Sequence, residues 1–267
     1  MAGKVRKILG ITICKYAIII PEVEDRVLSC GGEIMRKRFF QRSMAGLLAA
    51  FFALALTGHL PAAEKQKAGD EKVNKFLERM KPQWHDLNVP EEDGKILFEI
   101  VSRNGYRRAL EVGTSTGHSA IWIAWALSRT GGKLVTIEID EGRHRQALAN
   151  FREAGLSEYI DARLADARRL AEDLPGPFDF VFIDADKDHY PNYAKALVPK
   201  ILPGGCLAAH NVDDPGPVSR GGYNGGTAQY FRYMKSLPEF ETRIHPQSRY
   251  GIAVSYKKKQ GGRSGGK

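Results

Sequence analysis

Cysteine is scarce in this sequence, and the few cysteines are too far apart to act together. Cys14, Cys30 and Cys206 are the only three in 267 residues, and none stands at a metal-ligand spacing from another. A disulfide framework and a cysteine-ligated zinc site are therefore both excluded as organising features. With 43% hydrophobic residues, the chain instead has enough apolar material for one well-buried domain of ordinary size plus tails.

An excess of basic charge is also missing from most of the chain, although the formal net charge is +9. The surplus lies at the two ends, in residues 1–44 and 257–267. Between the ends, residues 45–256 contain 26 Lys and Arg against 27 Asp and Glu, so the globular part is close to neutral. We therefore expect no nucleic-acid partner, and we interpret the basic ends as solvated segments.

The main apolar run near the N-terminus, residues 44–57, is shorter than the roughly 20 residues that a membrane-spanning helix needs. It follows a basic stretch at 36–38 and precedes small residues at 60–64. This order is typical of a secretory signal peptide, with a permanent N-terminal anchor as the alternative. The pattern is best explained if Met35 begins the translated protein.

These features predict four segments. Residues 1–34 are expected to be an untranslated or disordered extension, and residues 35–63 a signal peptide or an N-terminal membrane anchor. Residues 64–256 form the globular domain, and residues 257–267 form a disordered basic tail. The expected location is exported or periplasmic, or membrane-anchored, with membrane contact only through the N-terminal apolar segment.

Within the globular part, short apolar strands alternate with amphipathic helices. This alternation predicts a doubly wound α/β sheet, in which ligands gather beyond the carboxyl ends of the strands. The last two strands have only a hairpin-sized connection between them, which indicates an antiparallel final pair. The predicted strands are 109–112, 134–139, 160–164, 178–184, 206–209, 242–244 and 252–256, and the predicted helices include 70–80, 90–104, 143–154 and 189–201.

The stretch 107–119 has the form of a ligand-binding strand and turn. A buried strand at 109–112 is followed by Gly113 and Gly117, and an apolar helix begins at Ser119. A strand that turns through glycines into a helix N-terminus allows the backbone to approach a nucleotide-like ligand closely. We therefore predict that this turn belongs to the binding site.

Nearly every predicted strand ends in a carboxylate or an amide. These side chains are Glu111, Glu138, Asp166, Asp184 and Asn211, and together they predict one polar crevice at the carboxyl edge of the sheet. Glu138, at the end of the second strand, can bind two ribose hydroxyls. Asp166 is placed to meet the edge of an adenine.

Four stretches of the chain resemble a known family. Residues 110–119, 135–140, 178–193 and 202–212 look like S-adenosylmethionine-dependent O-methyltransferases of the caffeoyl-CoA and catechol O-methyltransferase-like branch. The resemblance covers roughly residues 89–256. It implies the Rossmann-like seven-stranded methyltransferase sheet, mostly parallel with an antiparallel C-terminal hairpin. It also implies S-adenosylmethionine as cofactor, a small hydroxylated acceptor of phenolic or catechol type, and a homodimer.

The resemblance also implies which residues bind the cofactor. The set combines residues that contact the methionine and ribose, the ribose hydroxyls and the adenine. Its members are Val89, Glu111, Gly113, Thr114, Ser119, Glu138, Asp166, Ala167, Asp184 and Asp186.

The implied catalytic residues are Lys187, Asp184 and His210. The sulfonium methyl group is already activated, so the enzyme must align an acceptor oxygen with it and remove a proton. Lys187 matches the family's lysine beside the acceptor, where it acts as a general base or stabilises the oxyanion. In the family a divalent metal binds the acceptor hydroxyls and lowers their pKa.

One departure from the family falls on the implied metal ligands Asp184, His210 and Asn211. The family has Asp-Asn after the fifth strand, whereas this chain has His210-Asn211. Loss of a carboxylate weakens magnesium or calcium binding and makes manganese, iron or zinc relatively more favourable. Alternatively the site is metal-free and His210 serves as the base. A second departure is the glycine-rich loop 213–226, so acceptor identity does not carry over from the family.

Two other functions remain as alternatives. One is a non-catalytic, exported S-adenosylmethionine-binding relative, since His210 breaks the metal triad and a leader directs the chain away from cytoplasmic cofactor. The other is an NAD(P)-dependent oxidoreductase. That class needs a Gly-x-Gly-x-x-Gly turn, yet only Gly113 and Gly117 are present, and the final hairpin would be unexplained.

Overall fold

A seven-stranded mixed sheet forms the centre of the protein in the computed structural model, which describes residues 61–84, 87–214 and 225–259. Four predicted features therefore lie partly or wholly outside the described residues. They are the extension 1–34, the leader 35–63 apart from its last three residues, the glycine-rich loop 213–226 apart from 213–214 and 225–226, and the tail beyond residue 259.

The strands follow the order β3-β2-β1-β4-β5-β7-β6. The first five are parallel, and β7 pairs antiparallel with both β5 and β6. The predicted doubly wound seven-stranded sheet with an antiparallel C-terminal hairpin is thus confirmed. The strands are β1 (Arg108–Val112), β2 (Lys133–Glu138), β3 (Ile160–Leu164), β4 (Phe178–Ile183), β5 (Ile201–His210), β6 (Phe240–Ile244) and β7 (Ile252–Lys257).

Seven α-helices cover the two faces of the sheet in the part of the chain that is described. None of them is both long enough and apolar enough to cross a membrane. The helices are α1 (Ala62–Met80), α2 (Glu91–Asn104), α3 (His118–Thr130), α4 (Glu141–Ala154), α5 (Ala167–Asp173), α6 (Tyr190–Leu197) and α7 (Gly226–Ser236).

Alternate residues of the central strands face two separate apolar layers. Phe180 and Phe182 of β4 pack into the layer formed with α1, α2, α3 and α4. Val181 and Ile183 pack into the layer formed with α5, α6 and α7. The strands are buried on both faces, which explains why they appear in the sequence as nearly continuous apolar runs.

The register of the parallel strands brings their carboxyl ends to one edge. Val112 lies opposite Ile137 on one side and opposite Ile183 on the other, and Ile183 lies opposite Ala209. The residues that follow these strand ends are therefore neighbours, although they are far apart in sequence. This edge is where the predicted polar side chains meet.

Three boundaries differ from the sequence prediction by more than two residues. Helix α1 begins at Ala62 rather than near Asp70. The sequence prediction missed its first turns because they are almost entirely exposed and carry no apolar periodicity. Helix α6 ends at Leu197 rather than at Ile201, since Pro199 cannot donate the next helical hydrogen bond. Strand β5 starts at Ile201, and the predicted turn before Cys206 is an irregularity within that strand, where the β4–β5 register shifts.

Candidate functional site

A cavity of about 930 Å³ lies at the carboxyl edge of the sheet. Its volume falls within the range typical of small-molecule and cofactor sites. Nine residues predicted from the sequence line it together. They are Gly113, Glu138, Asp166, Ala167, Asp184, Asp186, Lys187, His210 and Asn211.

The turn after β1 brings the backbone close to the cavity. Gly113 has a φ of 98°, and a Cβ placed there would lie 2.2 Å from the carbonyl oxygen of Asp184. Gly117, also with a φ of 98°, precedes the first residue of α3 and packs against Phe151. Only glycine combines this backbone conformation with such close neighbours, so the predicted glycine turn has a structural reason at both positions.

Glu138 at the end of β2 is held in place by backbone hydrogen bonds. Its Oε2 accepts from the Ser115 amide at 2.7 Å, and its Oε1 accepts from the Asp140 amide at 2.9 Å. Arg143 of α4 donates its Nε to Oε1 at 3.2 Å. The carboxylate is therefore fixed before a ligand arrives, and Oε2 keeps acceptor capacity for a hydroxyl.

Two further carboxylates lie along the same wall of the cavity. Asp166 caps α5 and accepts from the Arg168 amide at 2.9 Å and from its guanidinium at 2.7 Å. These hydrogen bonds hold the pKa of Asp166 below its usual range. Asp186 accepts from the amide of Asp188 at 3.2 Å and contacts Nδ1 of His189 at 2.8 Å.

After the carboxyl end of β4, the side chain of Lys187 lies between a carboxylate and a phenol. The Lys187 ammonium forms an ion pair with Oδ1 of Asp184 and donates to the Tyr190 hydroxyl at 2.9 Å. The Tyr190 hydroxyl in turn donates to the backbone carbonyl of His210 at 3.1 Å. These contacts fix the ammonium group of Lys187 near the carboxyl end of β4.

His210 lies between two buried carboxylates. Its Nε2 is 2.9 Å from Oδ2 of Asp93, and its Nδ1 is 3.3 Å from Oδ2 of Asp184. Burial by itself lowers the pKa of His210, but the hydrogen bonds and charges of Asp184 and Asp93 outweigh it and raise the pKa to about 9. Burial conversely raises the pKa of each carboxyl group, and the contacts with His210 bring both below their usual range.

The predicted metal ligands Asp184, His210 and Asn211 are adjacent, but their donor atoms do not fit a divalent ion. Both ring nitrogens of His210 point at carboxylates, and both oxygens of Asp184 already have cationic partners, His210 and Lys187. Among the residues that the structure describes, no group of three or more His, Cys, Asp or Glu side chains could hold a metal ion.

Four predicted cofactor contacts, Val89, Glu111, Thr114 and Ser119, are buried and do not line the cavity. Glu111 Oε2 accepts from Thr136 at 2.5 Å, and Thr136 is 2.6 Å from the Thr114 hydroxyl. Burial raises the pKa of Glu111 to about 8. These hydrogen bonds connect Thr114, in the turn, to Thr136 of β2 and Glu111 of β1. Direct contact of the four residues with a cofactor stays a prediction.

Sequence reasoning missed several residues at the site. Two have a recognisable signal, because Arg143 and Arg168 each follow a strand-end acid at the start of the next helix. The aromatic and apolar lining residues carry no such signal, since they come from loops or from positions that look like core. The missed residues include Trp84, Leu87, Ser115, Ile137, Ile139, Arg143, Arg168, Tyr193 and Tyr250 in the cavity wall, and Asp93 and Tyr190 behind it.

Comparison with known proteins identifies relatives of this chain by sequence and by fold. The family model of the O-methyltransferases matches residues 64–254. Catechol O-methyltransferase of Niastella koreensis is 35% identical over 136 residues, which are 49% of this chain and 61% of that protein. The matched regions span only 51–61% of the length of the first curated relatives.

Solved structures match over a larger share. The O-methyltransferase from Bacillus cereus in complex with SAH is 27% identical, with a TM-score of 0.59, and the match covers 70% of this chain and 91% of that one. TomG from Streptomyces achromogenes, an O-methyltransferase involved in tomaymycin synthesis and solved in complex with SAM, is 26% identical, with a TM-score of 0.58 and coverage of 70% and 90%.

Proposed function

This chain belongs to the O-methyltransferase family, and from that premise we propose that it transfers the methyl group of S-adenosylmethionine to a hydroxyl oxygen of a small phenolic acceptor. One observation carries the proposal. A single cavity is lined by the fixed carboxylate of Glu138, at the end of β2, and by the Lys187–Asp184 ion pair, after β4. The first group suits a ribose, and the second suits an ionising hydroxyl.

The adenosyl half of the cofactor is expected to lie along β1, β2 and β3. Glu138 would accept hydrogen bonds from the ribose hydroxyls, and Asp166 with the Ala167 backbone would meet the adenine edge. Ile137 and Ile139 line the same part of the cavity and supply apolar contact for the base. The glycine turn at Gly113 allows the methionine end to approach the backbone.

The acceptor is expected to bind beside Lys187, where Asp184, His210 and Tyr250 also line the cavity. Tyr250 is half-exposed there, so its ring can contact an aromatic acceptor. The proposal of a phenolic acceptor draws support from the names of two relatives, catechol O-methyltransferase and caffeoyl-CoA O-methyltransferase 2 of Zea mays.

Methyl transfer then needs alignment and charge stabilisation. The acceptor oxygen attacks the sulfonium methyl in line, the carbon–sulfur bond breaks, and its electron pair remains on sulfur to give S-adenosylhomocysteine. The hydroxyl proton passes to a carboxylate oxygen of Asp184, since the Lys187 ammonium has no lone pair, and the ammonium stabilises the negative charge on the acceptor oxygen. Tyr190 keeps the lysine at this position through its 2.9 Å contact.

Calorimetry with S-adenosylmethionine and mass spectrometry of a catechol-type product test the proposal. We expect the chain to bind the cofactor and to form a methylated phenol. Glu138→Gln should weaken cofactor binding by about ten-fold or more, because a charge-assisted hydrogen bond to the ribose is lost. The matched control is Glu141→Gln, since Glu141 is exposed and pairs only with Arg145 in the described contacts. No heat and no thermal shift at millimolar cofactor would contradict the proposal.

A further inference from the structure

The imidazole of His210 is held on both sides by side chains that can only accept. Nε2 faces Asp93 at 2.9 Å and Nδ1 faces Asp184 at 3.3 Å. Ionised carboxylates have no hydrogen to donate, so each ring nitrogen must supply one. The ring therefore carries a positive charge at the position where the sequence departs from a carboxylate.

A divalent cation would have to compete with every one of these contacts. It needs oxygen or nitrogen lone pairs directed at it, and a doubly donating imidazole has none. Each oxygen of Asp184 already faces one positively charged group, His210 or Lys187, and these two charges would repel a cation bound there. If His210 lost a proton to become a ligand, Asp93, whose side chain is fully buried, would lose its charged partner at a high desolvation cost.

The local charges also balance without an ion. Two carboxylates, Asp93 and Asp184, face two cationic side chains, His210 and Lys187. Adding two positive charges would leave this buried cluster with a surplus, and two other acids of the cavity, Glu138 and Asp166, are already paired with arginines.

We propose that His210, clamped between Asp93 and Asp184, occupies the place of a divalent cation in the acceptor site, so that this chain transfers methyl groups without one. The inference rests on the proposed methyltransferase function. His210 fixes the orientation of Asp184 and contributes a positive charge beside the acceptor. Asp93, which touches neither cofactor nor cavity, is a positioning residue that acts through His210.

The first experiment compares cofactor binding, ion binding and turnover in the full chain. After EDTA treatment we expect unchanged S-adenosylmethionine binding by calorimetry and an unchanged rate of catechol methylation. We also expect no loss of the free Mn²⁺ signal in electron paramagnetic resonance. A rate that falls at least about ten-fold with EDTA and returns with Mn²⁺ overturns the inference. Failure to bind S-adenosylmethionine at all overturns the proposed function instead.

The variant His210→Asp provides the converse test. It restores a second carboxylate beside Asp184 and Asn211 and should therefore gain Mn²⁺ binding and a rate that depends on added Mn²⁺. Wild type that binds Mn²⁺ as tightly as this variant contradicts the inference. If circular dichroism shows that the variant does not fold, the wild-type Mn²⁺ and EDTA measurements decide alone.

The role of Asp93 is tested by Asp93→Asn against the neighbouring control Glu92→Gln. Glu92 is exposed on the same helical turn and touches nothing in the cluster. We expect Asp93→Asn to lower kcat by about ten-fold or more, because Asp184 is displaced, while the KM for S-adenosylmethionine stays constant, and Glu92→Gln to change neither. A general loss of structure would move both parameters, and an unchanged kcat removes Asp93 from the proposal.

Discussion

His118 is a buried histidine whose protonation state follows from its contacts. Its Nδ1 is 2.7 Å from the carbonyl oxygen of Val89, which can only accept, so Nδ1 carries the hydrogen. Its Nε2 then accepts from Nε1 of Trp122 at 3.0 Å. Trp84 stacks on the ring with 4.5 Å between centroids. The neutral ring thus joins the start of α3 to two aromatic side chains and to the segment that leads into α2.

This histidine should make the fold less stable in acid. Burial lowers the pKa of His118 to about 4, against the hydrogen bond to Val89, which raises it. In the unfolded chain the pKa is near 6.5, so between these two values the unfolded state binds more protons. The stabilisation is fully present above about pH 6.5 and is lost as the pH falls towards 4, by up to about 3 kcal/mol.

Urea unfolding at several pH values between 4 and 7 measures this effect. The free energy of unfolding of wild type should decrease with falling pH more steeply than that of His118→Gln, which has no titrating ring. The comparison of slopes is independent of the variant's overall loss of stability. Parallel pH dependences for the two proteins would show that His118 is not the responsible group.

Asp93 shows what sequence reasoning could and could not find at the scale of single residues. The acidic first turn of α2, residues 91–93, is typical of a favourable interaction with the helix dipole. Asp93 in fact precedes Ile96, Leu97 and Ile100 on the same buried stripe, at helical spacing. That spacing predicts a buried carboxylate. Its partner, His210, is 117 positions away, and no local pattern identifies so distant a contact.

At the scale of whole elements, α2 and α3 cross with almost no space between them. Gly94 of α2 lies against the indole of Trp122 in α3, and a Cβ at Gly94 would be 2.3 Å from Cδ1 and Nε1 of that ring. Because Trp122 also bonds His118, the ring cannot move without breaking this contact. The glycine therefore sets the distance between the two helices beneath the cavity.

Gly94→Ala should destabilise the protein although alanine is the better helix former. The expected loss is about 1–3 kcal/mol, because overpacking outweighs the gain in helix propensity. Gly69→Ala is the matched control, since Gly69 is an exposed helical glycine in α1 with nothing within 4 Å of its Cβ position. It should raise stability by about 0.5–1 kcal/mol. Thermal and urea unfolding of both variants check the two signs, and a stabilising Gly94→Ala would contradict this account of the helix contact.

The elements themselves were largely predictable, because the central strands are apolar runs bounded by glycine, proline and acidic residues. The helix bounds were predictable where a glycine ends the helix, as Gly105 does after α2 and Gly155 after α4, each with a positive φ. They were not predictable at the start of α1. There an exposed, polar helix has no apolar stripe for periodicity to detect.

At the scale of the whole molecule, the strand order converts a scattered pattern into one site. Glu138, Asp184 and His210 lie at or just after the carboxyl ends of β2, β4 and β5, which belong to the parallel part of one sheet, so their side chains meet at one edge. Their common location was predictable from alternation alone, since parallel strands share a carboxyl edge. Sequence did not predict how these side chains pair with one another. Which oxygen contacts which nitrogen depends on side-chain packing, and the order of the elements does not determine that packing.

The leader at 35–63 leads to a prediction about the mature chain. The basic stretch 36–38, the apolar run 44–57 and the small residues at 60–64 have the order of a secretory signal, and we propose that they direct export with cleavage near the last of these. Expression of the chain from Met35 in a bacterium, with N-terminal sequencing of the product, should give a protein that begins within 60–65. Leu54→Arg should block export, because a charge interrupts the apolar run, whereas Lys67→Gln, beyond the leader, should not. An uncleaved product that remains with the membrane fraction would favour the anchor, and an uncleaved product in the cytosol would contradict both forms of the proposal.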